Sequence, residues 1–235
     1  MDSLALLSFG PNGWGNQLAG GAAVTVALSL AILPVGLIAG FFVALGKQSS
    51  DRLIKLSAEI YTTIFRGLPE LLTLFLVYYG AQFGFSAISK LIVGYPIEID
   101  PFLAGMVALG LVHSSYASET FLSAFRGIPY GQYESAYAVG LSRYLTLRLV
   151  VLPQLLRLAL PGLSNLWLSL MKDTAFVSVI SLNELLRITT VAVGATKQPF
   201  FFYTVACLIY LLFSMLSSIG IWRIDAWASR GVKPR

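Results

Sequence analysis

Charged and polar side chains inside apolar runs are where this sequence could do chemistry, because such groups are costly in a membrane and are functional candidates by default. Glu59, Arg66 and Glu70 stand in one such run, seven and four residues apart. On a continuous helix they fall within about 40° of one another. Arg66 and Glu70 then lie close enough to pair, although Pro69 distorts the turn between them. Two readings are open: a buried ion pair that locks the fold, or a gate and solute contact at Glu70. A second group is His113, Ser114, Ser115, Tyr116, Ser118 and Glu119, with Thr120 on the face of Tyr116. His113 lies 11 residues beyond Phe102, which is about 16 Å of helix. That depth is near the middle of a bilayer core of about 30 Å. A polar patch there suits a solute pathway; the alternative is a histidine satisfied by a neighbouring backbone carbonyl. Asn165 and the run Lys172-Asp173-Thr174 form a third group, readable as an outer mouth or as a solvated helix end. Asn183, Glu184 and Arg187 read as the structural start of another short helix.

Several chemistries are excluded. One histidine and one cysteine, Cys207, leave no disulfide, no thiolate metal cluster and no plausible nucleophile–base pair. No G-x-x-x-x-G-K-[ST] run occurs, so the chain has no phosphate-binding loop of its own, and no H-E-x-x-H zinc site occurs either.

The elements that must carry these residues are membrane helices. Of the 235 residues 57% are hydrophobic and 11% charged, with a mean hydropathy of +0.77, whereas a soluble domain carries about 25% charged residues. Five segments reach the length of about 20 residues that a span needs: 18–45, 56–83, 102–125, 154–171 and 199–222. Residues 1–14 suggest a short interfacial stretch with Trp14 near the headgroups. No basic region precedes the first apolar run, so it reads as a retained helix and not as a secretory signal. With the N-terminus outside, the inner side holds Lys47, Arg52, Lys55, Arg126, Arg143, Arg148, Arg157, Arg223, Arg230, Lys233 and Arg235. The outer side then holds only Lys90, Lys172, Arg187 and Lys197, so the positive-inside bias selects this orientation and accounts for the net charge of +5 without nucleic acid. No internal repeat is visible, and the segment between the third and fourth spans is too short for a core of its own. A single domain over 1–235 is expected.

Residues 126–153 are that segment. Tyr133, Tyr137, Leu141 and Tyr144 recur at helical spacing and predict an aromatic stripe on a short amphipathic helix. Gly140 predicts a bend or turn within it. The small residues Ser135, Ala136 and Ala138 permit close approach by another surface. Such a helix either docks in a partner's groove or lies on its own bundle or on lipid headgroups.

The same segment carries a resemblance. Glu134-Ser135-Ala136, then Gly140, then Val150-Val151-Leu152-Pro153 is similar to the E-A-A, three residues, G, nine residues, I-x-L-P loop of ABC importer permeases. Phe65-Arg66-Gly67-Leu68-Pro69-Glu70, Tyr116-Ala117-Ser118-Glu119-Thr120, Pro153-Gln154, Ala159-Leu160-Pro161 and Lys172-Asp173-Thr174-Ala175 come in the order found in polar amino acid permeases. The likeness spans roughly residues 15–230 and is nearest to the Q-type subunits of histidine/lysine/arginine/ornithine and opine importers. Two departures matter: Ser135 replaces the middle Ala of the loop, small enough to leave the docking reading intact, and that family usually has Arg-Gly shortly after the third-helix glutamate, where this chain has Leu122-Ser123. No role of that arginine carries over.

The resemblance implies an all-α integral membrane bundle of five spans, the type I importer permease, in a bacterial inner membrane. It implies a second permease subunit, a heterodimer before a homodimer, two cytoplasmic ATPase subunits that bind ATP and Mg, and a periplasmic solute-binding protein. No cofactor is expected on this chain. Tyr133, Glu134, Ser135, Ala136, Tyr137 and Gly140 are then expected to couple to the ATPase. Glu70, His113, Ser115, Tyr116, Glu119, Asn165, Asp173 and Thr174 are expected along the solute pathway. The rival from another class is a proton- or sodium-coupled amino acid carrier using Glu59, Glu70 and Glu119; the odd span count, the missing repeat and the docking helix speak against it.

Overall fold

The computed structural model describes residues 3–11 and 13–228, and among these there is no strand. A short 3-10 turn, Ser3–Leu7, precedes nine α-helices among the described residues: α1 Gly15–Lys47, α2 Arg52–Gly67, α3 Glu70–Val93, α4 Pro101–Arg126, α5 Tyr130–Ala138, α6 Arg143–Thr146, α7 Leu152–Asp173, α8 Leu185–Thr196 and α9 Pro199–Ala228. A π turn, Leu147–Val151, joins α6 to α7, and a 3-10 turn, Thr174–Ile180, comes after α7. Met1, Asp2, Asn12 and residues 229–235, with Arg230, Lys233 and Arg235, lie outside the described residues.

Four helical runs are long and apolar enough to cross a membrane: Gly15–Lys47, Glu70–Val93, Arg143–Ile180 and Pro199–Ala228. The helix α4 is also long enough, at 26 residues or about 39 Å, but is more polar. Its position explains that difference. Fifteen of its residues are buried, so it faces other helices and not lipid. At the other extreme, α9 buries only Phe202 and Ala206, and its exposed Leu208, Leu211, Leu212, Leu216 and Ile219 are what a lipid-facing helix requires.

The bundle is organised around the pair α1 and α4. Helices in lipid gain little from apolar burial and associate through close packing of small residues. A Cβ on Gly40 would sit 2.7 Å from the Ser114 carbonyl oxygen and 2.8 Å from the Ala117 Cβ. Glycine there lets the two backbones approach. Leu28, Ile32, Leu74, Ala108, Leu109, Leu170 and Val177 form one buried cluster across α1, α3, α4, α7 and the 3-10 turn after α7. Ala44, Ala117, Phe121, Phe125, Val151 and Leu155 form a second, toward α5. The Trp14 ring meets Phe202 edge-on at 6.3 Å, closing a third cluster.

The segment 56–83, expected as one span, is two helices. Leu68 is extended (φ −93°, ψ 143°), as the residue before a proline prefers, and Pro69 begins α3. The break turns Glu70 off the face of Glu59 and Arg66. No Arg66–Glu70 pair forms; Glu59 is exposed, and Arg66 pairs with Glu119. The Tyr61 hydroxyl anchors α2 to α4, lying 3.0 Å from the Leu111 carbonyl and 2.6 Å from Ser114 Oγ. Glu184 caps α8. Its buried carboxylate accepts from the amides of Leu186 and Arg187 at 2.8 and 2.7 Å and from the hydroxyls of Tyr210 and Thr25. It thus ties α1, α8 and α9 together. Glu184→Ala is expected to lower stability by about 2 kcal/mol, read as an earlier thermal unfolding transition of the purified protein; an unchanged transition contradicts the capping role.

Candidate functional site

A cleft of about 260 Å³ opens between α3, α4 and α7. Glu70 lines it from the first turn of α3, where the helix dipole favours a carboxylate. His113 and Tyr116 line it from α4, one helical turn apart, above an apolar wall of Leu109 and Val112. Ser169 and Asp173 line it from α7, four residues apart on one face with Leu166 and Leu170. Two carboxylates, a phenol, an imidazole and a hydroxyl therefore converge on one volume from three helices. The chemistry open to this arrangement is recognition, not catalysis. It holds acceptors for cationic groups and donors for an anionic one, and no nucleophile–base pair.

His113 is 5% exposed, and its Nε2 has no hydrogen-bond partner. The backbone-satisfied histidine that the sequence also allowed is not what forms at this nitrogen.

Beside the cleft lies an ion-pair knot. Glu119 Oε1 accepts from Lys47 Nζ at the end of α1 and from Arg66 Nη1 at 3.1 Å. The Arg66 guanidinium lies 5.7 Å from the Tyr116 ring centroid, within cation–π range. Tyr116 therefore belongs to both features, lining the cleft and lying under Arg66. Glu119 also lines a separate hollow with Thr120, Ser123, Gly127, Leu158 and Gly162.

The eight residues expected along the solute pathway thus divide. Glu70, His113, Tyr116 and Asp173 meet in the cleft. Glu119 belongs to the knot. Ser115 is fully buried and donates to the Val112 carbonyl at 2.6 Å, and Thr174 is fully buried and donates to the Met171 carbonyl at 2.8 Å. Ser115 satisfies its own helix, as serine does mid-helix, and Thr174 bonds back onto the last turn of α7. Asn165 faces elsewhere, into a hollow between α7 and α9 with Ser164, Ser218 and Asp225. Two site residues were missed. Ser169 was detectable, four residues before Asp173 on the same helix face. Lys47 was not, because its partner lies 72 residues away and nothing local distinguishes it from a loop charge.

At the end of the bundle where Lys47 and Arg126 lie, α5 stands as a short helix. Its predicted tyrosine stripe is cut short. The helix stops at Ala138, which leaves Leu141 in a turn and Tyr144 in α6. The stop is a Schellman cap: Gly140 adopts φ 83°, its amide bonds the Tyr137 carbonyl, and the Leu141 amide bonds the Ala136 carbonyl. Tyr133 and buried Ala136 face the bundle, whereas Glu134, Ser135 and Tyr137 are exposed. The Tyr130 and Tyr133 rings stack with centroids 6.2 Å apart. Burial, with the neighbouring Tyr137, pushes the Tyr133 phenol above its ordinary range, so it stays a neutral donor near neutral pH. The outward surface is small, aromatic and carries one carboxylate.

Comparison with known proteins bears out the resemblance. The chain is 40% identical over 232 residues to the nopaline transport system permease protein NocQ of Agrobacterium fabrum, covering 98% of each chain. It is 36% identical over 221 residues to the histidine/lysine/arginine/ornithine transport system permease protein HisQ of Escherichia coli, covering 94% of this chain and 97% of that one. Among solved structures it is similar to an amino acid ABC transporter determined with histidines, at 28% identity and a TM-score of 0.80 over 96% of this chain and 98% of the other. Residues 32–229 match the family described as binding-protein-dependent transport system inner membrane component. The chain belongs to that family, the membrane permeases of ABC importers, in which the ATPase is a separate subunit.

Proposed function

We propose that this permease carries basic amino acids or opines and that the cleft between α3, α4 and α7 is where it holds them. The single observation behind this is the convergence of Glu70 and Asp173 on one volume, shared with His113, Tyr116 and Ser169 and backed by leucine and valine. Two carboxylates on one cleft favour ammonium or guanidinium groups. The names of the relatives support the same class, since nopaline, histidine, lysine, arginine and ornithine all carry such groups.

In this reading the bundle crosses an inner membrane five times, with α2 and α3 together counting as one span and α4 as another. The N-terminus is outside and the α5 end cytoplasmic, and the whole chain is one domain. Tyr137, Glu134 and Ser135 on α5 meet a cytoplasmic ATPase, which binds ATP and Mg. Ala136 and Gly140 set the shape of that surface, and Tyr133 holds it to the bundle. A sister permease completes the pathway, and a periplasmic binding protein delivers the solute. Binding and release of ATP on another chain then bias two arrangements of these helices. A gradient-coupled carrier gains nothing from Glu119, whose charge is already met by Lys47 and Arg66.

The test is uptake of radiolabelled arginine, histidine and opines by vesicles holding the assembled transporter. Uptake should survive collapse of the proton and sodium gradients and cease without ATP. Glu70→Gln or Asp173→Asn should each reduce it about tenfold, the loss of one charge-assisted contact. Unaltered uptake in both variants removes the cleft from the pathway.

A further inference from the structure

Resting on the reading of the cleft as the solute site, we infer that His113 is the specificity-determining residue that receives the solute's carboxylate. An amino acid or opine brings a carboxylate along with its cationic groups. Inside this cleft that anion meets Glu70 and Asp173, in surroundings that screen their repulsion poorly. It needs a donor. Of the residues lining the cleft, His113 alone brings an imidazole N–H; Tyr116 and Ser169 offer hydroxyls, which are also acceptors. Arg66 is nearby, over the Tyr116 ring, but does not line the cleft and is held by Glu119.

Two further features bear on this role. The His113 Nε2 is buried without a partner, and buried polar atoms are ordinarily satisfied. A site built to bond a ligand leaves such an atom unpaired when empty. The ring is also held in a place made for it: a Cβ on Gly36 of α1 would lie 2.5 Å from His113 Cδ2, so α1 leaves room for the imidazole only while position 36 is glycine. The solute would then lie across the cleft as a dipole, its ammonium or guanidinium toward Glu70 and Asp173 and its carboxylate toward α4.

The experiment is equilibrium binding to the assembled transporter in lipid nanodiscs without the solute-binding protein. Arginine, ornithine and histidine are each compared with the matching amine that lacks the carboxylate: agmatine, putrescine and histamine. The wild type should prefer the acid in at least one pair by about tenfold or more. His113→Ala should abolish that preference by weakening the acid while leaving the amine within about twofold. His113→Gln, which keeps a donor, should retain part of the preference. Gly36→Ala should reproduce the His113→Ala pattern with the imidazole still present. Equal loss of acid and amine in His113→Ala, or no wild-type preference in any pair, overturns the assignment. Glu70→Gln and Asp173→Asn keep the two ideas apart. If they weaken acid and amine together while His113 variants do nothing, only the carboxylate assignment fails; if they too do nothing, the cleft itself is not the solute site.

Discussion

Glu119→Ala is expected to destabilise the folded permease by about 3 kcal/mol, the cost of leaving a buried charge without its partner. The reason lies less in the glutamate than in what it leaves behind. The Lys47 side chain is 8% exposed and ends α1 against α4, where water does not reach it freely. Arg66 is 43% exposed and can turn toward solvent, so it contributes less to the loss. Glu119 also fixes the position of Arg66 over Tyr116, and Tyr116 lines the cleft. A functional defect should therefore accompany the loss of stability. Thermal unfolding of the purified protein measures the first effect, and solute binding at the cleft the second. The double variant Lys47→Met, Glu119→Met should recover most of the stability, since an ion pair replaced by apolar groups of similar volume is often neutral. It should not recover binding, because Arg66 then has no anchor. Equal stability of Glu119→Ala and the double variant would falsify the view that an orphaned Lys47 carries the cost.

The readability of these features from sequence tracked the range of the forces that make them. Long apolar runs announce spanning helices because lipid imposes the same requirement on every residue of the run, and α1 and α9 are where that requirement placed them. The expectation over 56–83 failed for the same reason. Apolar character continues through Leu68, so the run reads as one helix, although the backbone at Leu68-Pro69 cannot continue one. A pairing of Arg66 with Glu70 required that continuity and fell with it. Conversely, α4 looked like an ordinary span yet is a central helix, and its serines and histidine are tolerated because neighbouring helices surround them.

Within the cleft, Glu70, His113 and Tyr116 were legible as polar residues inside apolar runs, since a single expensive side chain is visible without knowing its neighbours, and Asp173 as a polar residue at a helix end. Which of the eight candidates meet was not legible. That depends on the rotation of α7, which turns Asp173 and Ser169 inward while Asn165 points toward α9. Nor was the fate of Ser115 and Thr174, whose hydroxyls bond their own helix, a choice made by local geometry among equivalent polar residues.

Gly140→Asp is expected to reduce ATP hydrolysis by the assembled transporter to its unstimulated rate while the permease still inserts and folds. Gly140 holds φ 83°, and an ordinary residue there costs about 1–2 kcal/mol. No atom lies within 4 Å of where its Cβ would be, so the bundle itself raises no steric objection. The strain falls on the Schellman turn, which sets where α5 ends and at what angle Ser142 caps α6. That turn fixes the outward surface of Tyr137, Glu134 and Ser135. A distortion of a few ångströms there leaves the core untouched and spoils only the docking surface. Gly131 is the control. It lies in α5, the helix that the turn at Gly140 ends, also has nothing within 4 Å of a Cβ, and is not among the glycines with positive φ. Gly131→Ala should therefore keep stimulated hydrolysis. Comparing hydrolysis with and without the loaded binding protein in the two variants isolates the turn: stimulation that persists in Gly140→Asp places the ATPase contact somewhere other than α5, and loss in both variants assigns the effect to the helix at large and not to its cap.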